Sequence, residues 1–130
     1  MPLVTLETRR WMTPEQKAQA FEAVHAALVS AFKIPDHDRH QRVVEYADAD
    51  FEIPPGKSGR YLVVALDVFA GRSLDAKRAL YRDVVDRLAA ALGIPRMDVL
   101  ICLREIPLEN WGVRGGQAAC DVDLGFQVRV

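Results

Sequence analysis

The sequence predicts an α/β (α+β) fold of two βαβ units, with a four-stranded, mainly parallel sheet and both helices on one of its faces. Residues 4–48 and 64–108 are two copies of an internal repeat, related by a constant offset of 60 residues without a gap. Each copy has an apolar segment, a strong helix start and a second apolar segment, and a strand, a crossover helix and a strand make a parallel pair. We therefore expect one domain over residues 1–130, with pseudo-repeats 2–48 and 62–108.

Matched residues run through the whole repeat. The 60-residue step pairs Thr13 with Ser73, Leu6 with Leu66, Val24 with Val84, Leu28 with Leu88, Ile34-Pro35 with Ile94-Pro95, and Asp38 with Asp98. A fixed period of this kind indicates architecture before any single residue is interpreted. The first copy begins at Pro2, whereas the second is embedded in the chain, so the repeat does not duplicate the start of the sequence.

The first unit begins with residues 3–8, where apolar and polar side chains alternate as in a half-buried strand. Thr13-Pro14-Glu15-Gln16 predicts a helix start, because Thr13 can cap the free amides and Gln16 can complete a capping box. The apolar face of this helix is predicted from helical spacing at Phe21, Val24, Leu28 and Phe32. Residues 41–47 are the next predicted strand.

The second unit repeats this order with a more apolar first strand, residues 61–69, as expected of a strand covered on both faces. Ser73 is placed to cap the second helix, and Gly93 is a natural stop signal. The apolar stripe of this helix is predicted at Leu80, Val84, Leu88 and Ala91. Residues 98–104 are the last predicted strand of the unit.

Both helices on one face leave the other face of the sheet to be covered. Three copies of the chain that pack with their sheets inward would cover it, and closed symmetry is the common solution. Residues 50–60 form a linker rich in Pro and Gly. The alternating apolar residues in the tail, 121–130, predict a short strand that pairs with a neighbouring subunit and protects an edge.

The composition indicates a packed cytoplasmic protein. Half of the residues are hydrophobic, and the net charge of −1 gives no bulk attraction to nucleic acid or to anionic membranes. We expect no signal peptide and no membrane span, because the apolar runs are too short. Cys102 and Cys120 make neither a disulfide framework nor a zinc pattern, and Cys102 is expected in the core.

Pro2 is the main candidate for chemistry, because removal of Met1 would turn its ring nitrogen into a free secondary amine. An α-amino group has a pKa near ~7.7–8.0, against ~10.4 for lysine, and burial or a nearby cation lowers that pKa further. Such an amine can accept and return a proton near neutral pH. In the alternative interpretation, Pro2 merely begins an edge strand, where proline is tolerated.

A short polar segment and a late tryptophan accompany Pro2 and the repeat. The segment 35–41 contains the pattern P-x-x-D-R-x-Q, formed by Pro35, Asp38, Arg39 and Gln41. Trp111 follows the last predicted strand and precedes Gly115-Gly116. On these features the whole chain resembles the tautomerase superfamily, built on a βαβ unit with a catalytic amino-terminal proline. Among the fused members, it is most similar to the malonate semialdehyde decarboxylase branch.

The resemblance implies a homotrimer with an active site near each Pro2, at a subunit boundary. It implies Asp38 as the acid partner, which holds a water molecule or tunes the proline. It also implies Arg72, at the first turn of the second helix, as the clamp for a substrate carboxylate. The predicted substrate-binding residues are Trp111, Arg39 and Val113.

Two departures from the decarboxylase pattern favour a simpler reaction. The stretch Ala70-Gly71-Arg72 carries one arginine where that pattern has two, and Val113 stands where a large aromatic residue is expected. Decarboxylation needs a polarised β-carbonyl, so the loss of one cation weakens that assignment. The residues alone leave Trp111 open between core and pocket wall, and Arg39 open to a structural ion pair.

We therefore predict a tautomerase that uses Pro2 as general acid/base on a small 2-hydroxy-2-enoate or 2-keto acid. One alternative is a decarboxylase-, hydratase- or dehalogenase-like enzyme with a cationic Pro2 and a water activated by Asp38. Another is a non-catalytic oligomeric interaction module. No glycine-rich nucleotide loop is found, so no cofactor is expected. His37 and His40 lack a third metal ligand, and His25 is expected to be a packed or rim residue.

Overall fold

The computed structural model describes residues 2–130, and the expected removal of Met1 concerns a residue outside that range. The strands and helices are β1 (Pro2–Arg9), α1 (Pro14–Phe32), β2 (Gln41–Tyr46), β3 (Leu62–Phe69), α2 (Leu74–Leu92), β4 (Val99–Ile106), β5 (Gly112–Val113) and β6 (Gln117–Ala118). Short 3-10 turns lie at Asp48–Asp50, Arg96–Asp98, Leu108–Asn110 and Ala119–Asp121. The two long helices and four long strands confirm the predicted pair of βαβ units.

The main sheet has the strand order β2-β1-β3-β4. Within each unit the two strands are parallel, as predicted, and the two units meet through an antiparallel pairing of β1 with β3. The sheet is thus mainly parallel with an antiparallel centre. This centre matters for function because it brings the first residue of β1, Pro2, opposite Val68 near the end of β3.

Local signals set the ends of both helices as predicted. Thr13 and Gln16 form the complete capping box at the start of α1, and Ser73 accepts from the amide of Ala76 at the start of α2. Gly93 ends α2 in the left-handed conformation, with φ of 64°. Lys33 takes the same conformation after α1, at φ of 57°, which a residue other than glycine adopts at some cost.

The core lies between the helices and one face of the sheet. Alternate residues of the central strands, such as Val4 and Leu66, are fully buried against the apolar stripes of both helices. The predicted stripe of α2 is correct at Leu80, Val84 and Leu88, but Leu92 is buried in place of Ala91, which is exposed. In the part of the chain that the structure describes, neither helix has the length and apolar character needed to cross a membrane.

The opposite face of the sheet, here called the open face, is not covered by either helix. It carries Thr5 and Ala65 on the central strands and Val44, Leu100 and Cys102 on the outer strands. Leu100 is 51% exposed. Cys102 is also exposed, so the expectation that it lies in the core is wrong. Its strand is apolar enough to be buried, but the side chain points away from the helices.

The tail, residues 121–130, forms no strand within the described chain, and the predicted strand pairing with a neighbouring subunit stays a prediction. It folds back onto the end of β3, where the ring of Phe126 stacks on Phe69 at 6.4 Å between centroids. The carbonyl of Val130 accepts from the amide of Ser73 at 2.9 Å. Gly71 permits this approach, because its φ is 136° and an added Cβ would lie 3.2 Å from the side chain of Val128. The alternating apolar residues are therefore half-buried against their own chain.

Candidate active site

The topology of the sheet gathers the predicted catalytic residues at one edge. Because β1 is antiparallel to β3, Pro2 lies beside the end of β3 and the turn into α2, where Arg72 is found. Because β1 is parallel to β2, the same end of β1 lies beside the loop before β2, which carries Asp38. The amide of Val4 donates to the carbonyl of His40 at 2.8 Å and ties this loop to β1. Pro2 is itself buried.

Arg72 is the most unusual residue at this edge. It is only 5% exposed, and its Nη1 donates to the carbonyl of Phe69 at 3.0 Å. Its guanidinium carbon lies 4.8 Å from the centroid of the Phe32 ring. Among the described residues, neither Nε nor Nη2 finds a hydrogen-bond partner. A buried cation with two unused donors is costly unless it is paired, so these atoms are suited to an anionic ligand.

Burial also sets the acidity of Arg72. Loss of water around the guanidinium lowers its pKa to about 10, and the negative charges of Glu105 and Asp38 oppose that change. Glu105 is held by Lys77, which lowers the pKa of the carboxyl group mainly through their hydrogen bond. The first unit repeats this ion pair with Lys17 and Glu45 at 2.5 Å. The Lys77–Glu105 pair therefore belongs to the scaffold that both units share.

A cavity of about 160 Å³ lies at this edge, with Asp38 in its wall, whereas Pro2 and Arg72 are not among its lining residues. Its lining residues are Pro35, His37, Asp38, Phe69, Val113, Arg114, Leu124 and Phe126. The side chain of Asp38 is 12% exposed and lies 3.2 Å from Nε2 of His40. Pockets for drug-sized ligands measure roughly 300–1,000 Å³, so this one suits a molecule of only a few carbon atoms. Apolar side chains form much of its wall, with a carboxylate and an arginine among them.

Some of the predicted site residues line the cavity, and others lie outside its wall. Asp38 and Val113 line the cavity directly. Trp111 packs behind it: the ring meets Phe69 edge-on at 5.0 Å, and Nε1 donates to the carbonyl of Ile106 at 3.2 Å. Arg39 pairs with Glu22 of α1 at 2.5 Å and does not line the cavity.

Several cavity residues were absent from the sequence prediction. Phe69 ends β3 and was predicted only as a strand residue. Leu124 and Phe126 come from the tail, which was predicted as a strand that pairs with a neighbouring subunit. Arg114 takes a positive φ of 49° in the turn between β5 and β6. The adjacent Gly115-Gly116 predicts that turn, but it does not predict that Arg114 lines the cavity.

The described residues contain no group of three His, Cys, Asp or Glu side chains arranged to hold a metal ion. This edge of the sheet holds the buried cation of Arg72, the carboxylate of Asp38 and a small, mainly apolar cavity lined by Asp38 and Phe69. These parts can bind a small carboxylic acid and keep bulk water from it.

Comparisons with known proteins show the family of this chain. A family model described as "Tautomerase enzyme" matches residues 38–114. The probable tautomerase YusQ of Bacillus subtilis (strain 168) is 23% identical over 123 residues, which cover 91% of this chain and 97% of YusQ.

Solved structures share the fold over nearly the whole chain. Malonate semialdehyde decarboxylase, described with decarboxylase and hydratase activities, superposes with a TM-score of 0.85 at 24% identity, over 93% of this chain and 99% of that one. A fused 4-OT described as a symmetric trimer is 30% identical, with a TM-score of 0.80, over 91% of this chain and 96% of the other. With a family match over more than half of its length, the chain belongs to the tautomerase family, as a fused member of the tautomerase superfamily.

Proposed function

We propose that this protein is a cofactor-independent tautomerase that uses Pro2 as general acid/base on a small 2-hydroxy-2-enoate or 2-keto acid. The observation that carries the proposal is the buried Arg72 with two unpartnered nitrogen atoms. A carboxylate accepts from both nitrogens of a guanidinium edge at once. An anionic substrate would therefore satisfy Arg72 and place its neighbouring carbons near the start of β1.

In the proposed reaction, Met1 has been removed and the Pro2 nitrogen is a free amine. Arg72 holds the carboxylate while the amine takes the proton from the 2-hydroxyl oxygen. The carbon–oxygen double bond forms as the carbon–carbon double bond opens, and the amine returns a proton to C3. Asp38, which lines the nearby cavity, has the proposed role of orienting the site. The test is ketonisation of phenylenolpyruvate, followed by ultraviolet absorbance on protein whose intact mass shows that Met1 is absent.

The acidity of Arg72 gives this proposal a pH signature. Since the pKa of the guanidinium is about 10, the cation is lost as the pH rises through that value, and with it the charge that holds the carboxylate. We expect KM to rise several-fold between about pH 9 and about pH 11. Steady-state kinetics of the native chain and of Arg72→Met check this, because the KM of the variant should be high but insensitive to pH in that range. A pH-independent KM in the native chain would contradict the role given to Arg72.

A second candidate reaction uses the opposite protonation state. If Pro2 stays cationic, it acts as an acid, and Asp38 activates water for hydration, dehalogenation or β-keto acid decarboxylation. The place of Asp38 on the cavity wall favours this reading, as does the fold shared with malonate semialdehyde decarboxylase. The single arginine of Ala70-Gly71-Arg72 argues against it, because decarboxylation draws on more positive charge.

We also propose that the chain assembles as a homotrimer through the open face of the sheet; the similar fused 4-OT is described as a symmetric trimer. Leu100 and Val44 expose apolar surface there, at 51% and 36%. We expect Leu100→Glu to shift the protein from trimer to monomer, because a charge without a partner is costly to bury. Light scattering after size exclusion measures this.

The matched control for that variant is Met97→Glu. Met97 is 77% exposed in the 3-10 turn Arg96–Asp98, which precedes β4 and is not part of the strands of the open face, so this variant should remain trimeric. A native chain that is monomeric at micromolar concentration, or a Leu100→Glu variant that still forms trimers, would speak against this interface.

A further inference from the structure

We propose that His25 is a positioning residue that fixes the segment carrying Asp38, an inference that rests on the proposed function for its catalytic consequence. His25 lies on α1, is only 2% exposed, and neither touches the cavity nor takes part in the proposed proton transfer. Its Nε2 lies 2.7 Å from the carbonyl oxygen of Asp36. A carbonyl only accepts, so Nε2 carries the proton and donates it.

The bond from His25 reaches the middle of the segment that forms one wall of the cavity. Pro35, His37 and Asp38 line the cavity, and Asp36 is the remaining residue of that segment. The amide of Asp38 donates to the carbonyl of Pro35 at 3.0 Å, which closes a tight turn around Asp36. A displacement of the Asp36 carbonyl would therefore move the lining residues on both sides.

Two other residues of the loop also contact α1, but from more exposed positions. Arg39 pairs with Glu22, and the side-chain amide of Gln41 donates to the carbonyl of Phe21 at 3.0 Å. Exposed ion pairs contribute about 0–1 kcal/mol, whereas a hydrogen bond in a dry environment is hard to replace with water. Of the three tethers, His25 is the most deeply buried.

The second unit offers an internal comparison. The 60-residue step places Val85 at the position of His25 and Arg96 at that of Asp36, and Arg96 pairs with Asp86 on the surface of α2. Asp98, the counterpart of Asp38, is 3% exposed and accepts from the amide of Ser58 at 3.1 Å and from its hydroxyl group. In the second unit, Ser58 thus holds the aspartate by bonds to its carboxylate, and no histidine stands at the position of His25. The histidine tether occurs in the unit whose first strand begins at Pro2.

The experiment compares His25→Leu with His25→Gln, whose amide retains a donor. We expect His25→Leu to lower kcat for phenylenolpyruvate about tenfold with KM changed less than twofold, and His25→Gln to recover most of that loss. Both variants lose the packing of the ring, but only His25→Leu also loses the donor, so its thermal stability should fall further than that of His25→Gln. Equal kcat losses in the two variants, or a native kcat in His25→Leu, would overturn the proposal.

Amide hydrogen exchange tests whether His25 holds the Asp38 segment, and it does so independently of enzymatic activity. In His25→Leu the Asp38 amide should exchange at least about tenfold faster than in the native chain, and in His25→Gln close to the native rate. The Asp98 amide, which donates to Pro95 at 2.8 Å in the corresponding turn, should exchange unchanged in both. If the native chain lacks tautomerase activity, the proposed function fails, while these exchange rates still decide whether His25 holds the segment. Unchanged exchange at Asp38 in His25→Leu would refute the tether.

Discussion

Replacement of Pro2 with alanine is expected to lower kcat/KM for phenylenolpyruvate about a hundredfold or more. General acid–base catalysis contributes about 10²- to 10⁴-fold, and the ring nitrogen of Pro2 is the group that we propose moves the proton. The alanine variant keeps an α-amine but loses the ring that fixes the direction of its lone pair. The measurement is initial-rate kinetics on native and variant proteins whose intact masses both show that Met1 has been removed.

Pro14→Ala is the matched control, because Pro14 is the first residue of α1 and takes no part in the site. It should leave kcat/KM unchanged. Equal rates for the native chain and Pro2→Ala would rule out the mechanism. The pH profile then separates the two candidate reactions: a neutral Pro2 acting as a base gains activity as the pH rises through its pKa, and a cationic Pro2 acting as an acid loses activity there.

Much of the fold could be predicted from the sequence because its signals are local. The Thr13 capping box, the Ser73 cap and the Gly93 stop depend on neighbouring residues, and each is found where it was predicted. The repeat then indicated that both units are built alike. A sequence repeat predicts the structure of each unit, however, and does not predict which strands pair between the two units. The antiparallel pairing of β1 with β3 therefore had to come from the structure.

The cavity was harder to predict because tertiary contacts build it. Leu124 and Phe126 lie in a tail whose alternation is equally typical of a strand and of a segment packed along its own chain. Cys102 shows the same limit, since an apolar run does not reveal which face of a one-sided sheet a residue occupies. Asp38 was predicted from the resemblance to the superfamily, and the structure places it on the cavity wall. The roles proposed for Pro2 and Arg72 remain predictions.

Arg72→Met is the second variant with a large expected effect, and it should separate activity from stability. We expect kcat/KM to fall about a hundredfold or more, because removal of one partner from a buried, hydrogen-bonded charge pair costs roughly 2–5 kcal/mol. We expect the free energy of unfolding to change by less than about 1 kcal/mol, or to rise. Methionine gives up the bond to Phe69 and the contact with Phe32, but it also relieves a buried charge with two unpartnered donors. Enzyme kinetics and urea denaturation measure the two effects.

Two further variants make the test of Arg72 specific. Arg72→Lys should not restore the activity, because an ammonium group cannot make the two-point contact of a guanidinium with a carboxylate. Arg78→Met should change neither quantity appreciably, since Arg78 is an exposed arginine of α2 that pairs with Asp75 at 3.0 Å. If Arg72→Met were active but unstable, Arg72 would be a structural cation and the carboxylate clamp would have to be sought elsewhere. If Arg72→Met is stable and inactive, the buried charge of Arg72 is required for substrate binding and not for folding.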